Sequence, residues 1–113
     1  MENDIMQIIA FAGNARSLAL KSIRAAKTGG EPEAASQLWQ AQQDLKIAQK
    51  AHQRLLCQGA TNELTFSLFL LHGEDHLMGA LTTIDLAKEL IALYAMQNQL
   101  QQALEKLKEG ESV

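Results

Sequence analysis

Two histidines and two acidic residues stand close together in residues 71–78, which read Leu-His-Gly-Glu-Asp-His-Leu-Met. His72, Asp75 and His76 are spaced i, i+3 and i+4, so a helix places all three side chains on one face. The residues around them are strongly apolar, namely Leu68, Leu70, Leu71 and Leu77. Because ionisable groups among apolar ones are costly unless they are paired or functional, this segment is the candidate functional site.

The first chemistry that this cluster could support is phosphoryl transfer through a histidine. A neutral imidazole nitrogen is available near pH 7, and a hydrogen bond at the other ring nitrogen fixes which nitrogen is free to attack. For His72, either Asp75 or a main-chain carbonyl could accept that hydrogen bond. Catalysis would consist of positioning and electrostatic stabilisation, so we expect no general base that activates water.

The second possible chemistry is metal binding, because His72 and His76 have the i, i+4 spacing of zinc ligands on a helix. The zinc-protease pattern requires a glutamate directly after the first histidine, and Gly73 stands there instead. A third ligand is not evident in the sequence. A metal site built on this histidine pair is therefore the less favoured hypothesis.

Length and composition limit the other functions. The 113 residues predict a single domain, 1–113, and the net charge of −3 argues against binding to nucleic acid. The single cysteine, Cys57, rules out an internal disulfide and favours a reducing compartment. The acidic N-terminus does not fit a secretory signal, and the apolar run at 66–71 is far shorter than the ~20 residues of a membrane span. We therefore expect a soluble, cytoplasmic protein.

Composition and two breaks predict an all-α fold of three helices. Ala, Leu, Gln, Lys and Glu are abundant, and all favour helix. Gly29 suits the C-cap of a first helix, and Pro32 suits the first turn of a second. Gly59 could end the second helix, with Thr61 or Asn62 capping a third. The predicted helices cover residues 4–27, 33–57 and 63–108.

The third predicted helix has two apolar stripes. One repeats every seven residues and consists of Leu70, Leu77, Ile84 and Ile91; the other consists of Leu68, Leu71, Met78, Leu86, Leu93 and Leu100. A three-helix subunit needs to bury only one stripe, so the second suggests that this helix also packs against copies of itself. Asp75 falls in the second stripe, and we infer a homo-oligomer in which the Asp75 residues face each other near the axis.

Five other features have weaker interpretations. A strand at 65–71 is an alternative to helix, but the chain offers no partner strand. Gly13 could mark close approach of another backbone to the first helix. Arg16 could contact a phosphoryl group, although such a residue is more commonly an exposed helix charge. His52 is interpreted as a surface residue, and Cys57 as a small apolar residue without a reactive environment.

The residues now described carry a family likeness. The chain resembles the lactose/cellobiose-type enzyme IIA family of the bacterial phosphoenolpyruvate-dependent sugar phosphotransferase system. Members typically read V-H-A-Q-D-H-L-M where residues 71–78 of this chain read L-H-G-E-D-H-L-M. They also have an S-G-x-A-R-S-L-A-like run, where residues 12–19 read A-G-N-A-R-S-L-A.

The resemblance implies an antiparallel three-helix bundle, spectrin-repeat-like, that assembles as a homotrimer through the long third helix. It implies that His72 is phosphorylated on Nε2, with His76 and Glu74 as neighbours of the phosphoryl group. It implies that Asp75 lies at the trimer axis, where three copies can share Mg²⁺ or a similar divalent cation.

The resemblance also implies an activity and partners. The protein would be a phosphotransferase component that takes phosphate from the carrier HPr and passes it to a cysteine of a cognate IIB component. It would meet the membrane only indirectly, through the transporter component. The transported sugar would be a β-linked disaccharide such as cellobiose, chitobiose or lactose.

This chain departs from the family pattern at two positions, because Gly73 and Glu74 replace the usual Ala-Gln. Glu74 adds negative charge close to a phosphohistidine, which disfavours the phosphorylated form unless solvent or a cation screens it. The competing function is therefore a helical interaction or regulatory module that has the same fold and has lost phosphoryl transfer. Failure of His72 to accept phosphate would favour that module.

Overall fold

The computed structural model describes residues 2–61 and 67–111. They form three helices in an up-down-up bundle: α1 (Glu2–Lys27), α2 (Glu31–Thr61) and α3 (Leu68–Glu111). The predicted all-α, three-helix fold is confirmed. The helix bounds differ from the prediction at several ends, and each difference has a local physical reason.

The connection between α1 and α2 is a glycine C-cap, as predicted. Gly29 has φ of 85°, a left-handed conformation that costs glycine little. Its N–H donates to Ala26 O (3.1 Å), and the N–H of Gly30 donates to Ala25 O (2.8 Å). This pair of bonds is the Schellman arrangement, which satisfies the last carbonyls of α1. Pro32 follows in the first turn of α2, where its missing N–H has no helical partner to lose.

The predicted end of the second helix is wrong. α2 continues through Gly59 to Thr61, so Gly59 does not act as a C-cap and Thr61 does not cap α3. A glycine inside a helix costs only about 1 kcal/mol relative to alanine, which the rest of the helix can offset. The alternative cap, Asn62, lies outside the described residues.

The third helix begins later than predicted. Ser67 precedes α3 and is not helical, and its Oγ accepts a hydrogen bond from the N–H of Leu70 (3.1 Å), as an N-cap does. The predicted start at residue 63 is therefore wrong, although residues 63–66 themselves lie outside the described residues. Residues 68–71 are helical, which excludes the strand alternative there; residues 65 and 66 lie outside the described ranges. The helix ends at Glu111 rather than at residue 108.

Small side chains fill much of the core. α1 packs against both other helices, whereas α2 and α3 share a smaller contact. Alanines recur where the helices meet, and they allow close approach of the backbones. The buried core residues include Ala12, Ala15, Ala19, Ala41, Ala48, Ala51, Ala80 and Ala87, with Ile5, Ile8, Leu55, Leu77 and Ile84 as the largest members.

The two stripes of α3 have different environments. Leu70, Leu77 and Ile84 are buried in the bundle, as the seven-residue repeat predicts. The second stripe is exposed: Leu68, Leu71, Met78, Leu86, Leu93 and Leu100 are between 44% and 84% accessible. At 44 residues α3 is about 66 Å long and accounts for most of the molecule's 76 Å length. None of the helices in the described ranges is long and apolar enough to cross a membrane.

Candidate functional site

The first three turns of α3 bring residues 71–78 against α1. Gly73 is buried there, and a Cβ built on it would lie 3.4 Å from Ile5 Cγ2 and 3.7 Å from Ile8 Cγ2. Because Gly73 faces α1, the residues on either side of it are directed to the two edges of the α1–α3 contact. The Ser67 cap fixes the residue at which α3 begins. The helical repeat then fixes the direction of each site residue around the axis of α3.

His72 and His76 lie side by side, as their i, i+4 spacing predicts. Their ring centroids are 4.4 Å apart and the rings are tilted by 36°. Nδ1 of His76 donates a hydrogen bond to the main-chain O of His72 (3.1 Å). A carbonyl oxygen only accepts, so the neutral His76 ring carries its proton on Nδ1 and leaves Nε2 with a free lone pair.

The ring of His72 is exposed and makes no hydrogen bond within the part of the chain that the structure describes. Neither partner suggested by the sequence is present: Asp75 does not bond to its ring, and the main-chain carbonyl bond belongs to His76 instead. Both ring nitrogens of His72 are therefore accessible to a reacting group. The ring stands beside a shallow apolar groove lined by Met6, Ile9, Leu68 and Phe69.

A polar groove continues from His76 along the α1–α3 contact. It is lined by Gly13, Arg16, Ser17, Leu20, Asp75 and His76. Arg16 also extends over Gly79, with Nη1 3.7 Å from the position of a Cβ there. Arg16 makes no ion pair within the described ranges, and it shares this groove with the carboxylate of Asp75.

Gly13 has a different role from the one predicted. A Cβ at this position would lie 3.5 Å from Cδ2 of His76 and 4.0 Å from its Nε2. The close neighbour is therefore the histidine ring, and not another backbone. The small residue on α1 leaves room for the Cδ2–Nε2 edge of the His76 ring.

Asp75 is exposed at the edge of α3, in line with Leu71 and Met78, and it also lines the groove that contains Arg16 of α1. It has no hydrogen bond or ion pair among the described residues. Its hard carboxylate oxygens are the ligand type that Mg²⁺ prefers. The described part of one chain contains no group of three His, Cys, Asp or Glu side chains that could hold a metal, so Asp75 fits a cation only if further copies contribute ligands.

Among the described residues, Glu74 makes no hydrogen bond or ion pair with His72 or His76. Its Oε1 lies 2.6 Å from Nε2 of His52 on α2, and the side chains of His52 and Glu74 are 22% and 38% exposed. His52, interpreted from the sequence as a surface residue, is partly buried and is paired with Glu74. Sequence spacing gave no signal for this pair, because its members are 22 positions apart on different helices.

The replacement of Gly73 by alanine is expected to stabilise the protein. The new Cβ would meet Ile5 and Ile8 at ordinary contact distance, and the helix would gain about 1 kcal/mol because alanine loses less backbone entropy than glycine. Urea unfolding of the variant should show a higher midpoint with an unchanged slope. A lower midpoint would contradict this expectation and would mean that the 3.4 Å contact with Ile5 is too close for the added methyl group.

The chain is similar to IIA components of bacterial sugar phosphotransferase systems. The family model described as "PTS system, Lactose/Cellobiose specific IIA subunit" matches residues 3–95. The oligo-beta-mannoside-specific EIIA component of Bacillus subtilis (strain 168) is 41% identical over 93 residues, covering 81% of this chain and 84% of that protein. The lichenan-specific phosphotransferase enzyme IIA component of the same strain is 42% identical over 95 residues, covering 83% and 86%.

A solved structure is similar over the same part of the chain. The crystal structure of the cellobiose-specific enzyme IIA from Bacillus anthracis superposes with a TM-score of 0.82 at 35% identity. The superposition covers 86% of this chain and 90% of that one. Because the uncovered part of the chain is shorter than any of the three helices, the superposition includes part of each helix.

Proposed function

This chain belongs to the lactose/cellobiose-specific IIA family of the sugar phosphotransferase system, and from that premise we propose that it is a phosphohistidine carrier with His72 as the phosphorylated residue. The observation that carries the proposal is the environment of His72. Its ring is exposed and lacks a hydrogen-bonded partner among the described residues; it stands beside an apolar groove, and the ring of His76 next to it lines a second groove that contains Arg16.

The proposed reaction is a pair of phosphoryl transfers. The lone pair on Nε2 of His72 attacks the phosphorus of phosphorylated HPr; the new N–P bond forms as the donor's N–P bond breaks. In the second step, the thiolate of a cysteine on the cognate IIB component attacks the same phosphorus. The S–P bond forms as the N–P bond to His72 breaks, and the ring of His72 is neutral again. The exposure of His72 supports both steps, because each partner must bring its own side chain within reach of the ring.

His76 and Arg16 would stabilise the phosphoryl group by charge. Nδ1 of His76 is already committed to the carbonyl of His72, so a second proton on Nε2 would make the ring a cation and a donor to a phosphoryl oxygen. Arg16 lies about one helical turn after Gly13 on α1 and adds a permanent positive charge to the groove. Both residues would favour the negatively charged product of the first transfer.

The assembly that we propose is a homotrimer in which the exposed stripe of α3 forms the central seam. Six large apolar side chains on one side of a single helix are costly to leave in water, and their spacing suits a coiled coil. Asp75 lies within that stripe, so the Asp75 side chains of three subunits would meet near the trimer axis. Three carboxylates there would provide ligands for Mg²⁺ or a similar divalent cation.

The proposed cargo is a β-linked disaccharide of the cellobiose, chitobiose or lactose type. Relatives with 41% and 42% identity are named for an oligo-β-mannoside and for lichenan. Almost equal similarity therefore accompanies different sugar names, so similarity along this chain does not select among sugars. The transporter component, which binds the sugar, would decide between them.

A phosphorylation assay tests the carrier function directly. The protein is incubated with phosphoenolpyruvate, enzyme I and HPr, and the label is mapped by mass spectrometry under alkaline conditions. We expect one acid-labile, base-stable phosphate on His72. An unlabelled protein in the presence of demonstrably phosphorylated HPr would overturn the proposal and favour the interaction-module hypothesis.

The seam can be tested apart from the chemistry. Leu100 is 65% exposed in the single chain, so Leu100→Ser should change the stability of a monomer by less than about 0.5 kcal/mol. If the seam is formed, the same change should cost roughly 1 kcal/mol per subunit, because a buried apolar side chain is lost. Sedimentation and thermal unfolding at several protein concentrations measure this. An unchanged melting temperature and association state would contradict the seam.

A further inference from the structure

The hydrogen bond between His52 and Glu74 joins α2 to the turn of α3 that carries His72. The Nε2–Oε1 distance is 2.6 Å, and neither side chain is more than 38% exposed. Nε2–H donates and the carboxylate accepts, an arrangement that a neutral histidine supports as well as a charged one. The pair therefore holds Glu74 in one direction without depending on the charge of His52.

That direction matters because Glu74 is only two positions from His72. Residues at i and i+2 point to well-separated sides of a helix, and Glu74 points to α2 while His72 stands at the α1 edge. A glutamate side chain has several rotatable bonds, however, and a free carboxylate would sample positions nearer to the histidine. A phosphoryl group carries up to about two negative charges, so such positions would oppose phosphorylation.

We infer that His52 is a positioning residue for phosphoryl transfer: it holds the carboxylate of Glu74 against α2 and so keeps that negative charge away from the phosphoryl group on His72. This inference rests on the proposed function. It explains how a chain with glutamate directly after Gly73 can carry a phosphohistidine close by. His52 does not touch the reacting atoms, and its effect is exerted through Glu74.

The test is a set of three variants, His52→Ala, Glu74→Gln and the double variant. The rate of phosphate acceptance from phosphorylated HPr is measured by rapid quench, and thermal unfolding is measured in parallel. We expect His52→Ala to be slower by about threefold to tenfold, because an unheld carboxylate repels the incoming group across partly screened solvent. Added salt should reduce that defect. Glu74→Gln should transfer at least as fast as the wild-type protein.

Rescue is the decisive comparison. In the double variant no carboxylate remains to be held, so its rate should return to within about twofold of that of Glu74→Gln. A purely structural role for His52 would leave the double variant as slow as His52→Ala. The matched control is Arg54→Ala, which breaks another α2 cross-helix pair, between Arg54 Nε and Asp4 Oδ1 (2.9 Å). It should lower the melting temperature without a salt-dependent change in rate.

Two results would overturn the inference while leaving the carrier function intact. In the first, His52→Ala accepts phosphate at the wild-type rate; in the second, the double variant is not rescued. Failure of the proposed function has a different signature, because the wild-type protein itself would then remain unlabelled at His72.

Discussion

His72→Ala is expected to remove all phosphate acceptance while leaving the fold in place. The exposed ring makes no hydrogen bond within the described ranges, so its loss should change the stability by no more than about 0.5 kcal/mol. The chemistry, in contrast, loses the nitrogen that forms the N–P bond in the proposed function. Incubation with phosphoenolpyruvate, enzyme I and HPr should therefore give a labelled wild-type protein and an unlabelled variant with the same circular dichroism spectrum.

The other two histidines provide the control for this prediction. His76→Gln keeps His72 and removes the ring that lies beside it, so it should reduce the rate of labelling without moving the label. If the His72→Ala protein carries phosphate, on His76 or on His52, the assignment of the site is wrong. If it is unlabelled but unfolded, the variant has tested stability, and His72→Gln then tests the site with a side chain closer in size.

Asp75→Leu is expected to raise the melting temperature when divalent cations are removed with EDTA. In the proposed trimer, three carboxylates face each other within an apolar seam, and burial of like charges is costly. Their replacement by leucine removes the repulsion and extends the stripe of Leu71 and Met78. The gain should be on the order of 1–4 kcal/mol per trimer, the range found when buried charges are replaced by apolar residues.

Magnesium distinguishes this explanation from a simple surface effect. A shared cation would neutralise the three carboxylates, so Mg²⁺ should raise the melting temperature of the wild-type trimer and leave Asp75→Leu unchanged. Asp85, exposed on the same helix, offers a matched control, and Asp85→Leu should show neither effect. A lower melting temperature for Asp75→Leu in EDTA would count against three facing carboxylates.

The sequence predicted the fold well because the fold depends on local signals. Gly29 and Pro32 identify the α1–α2 connection through backbone preferences that act within a few residues. The seven-residue repeat of Leu70, Leu77 and Ile84 identifies the buried side of α3. The errors lie at helix ends: Gly59 is compatible with both a cap and a helix interior, and the prediction places the cap of α3 at Thr61 or Asn62, whereas Ser67, also a preferred N-cap type, caps it.

The contact between the rings of His72 and His76 follows from the amino-acid sequence, because both residues lie on one helix and their i, i+4 spacing brings them together. The sequence also placed Asp75 in the exposed stripe. The residues of α1 and α2 that face them, in contrast, depend on the tertiary structure. The contact between the ring of His76 and Gly13, and the pairing of His52 with Glu74, depend on how α1 and α2 pack against α3. Helical periodicity specifies directions within one helix, whereas contacts between helices depend on their relative rotation and depth, which are set by packing of the whole core.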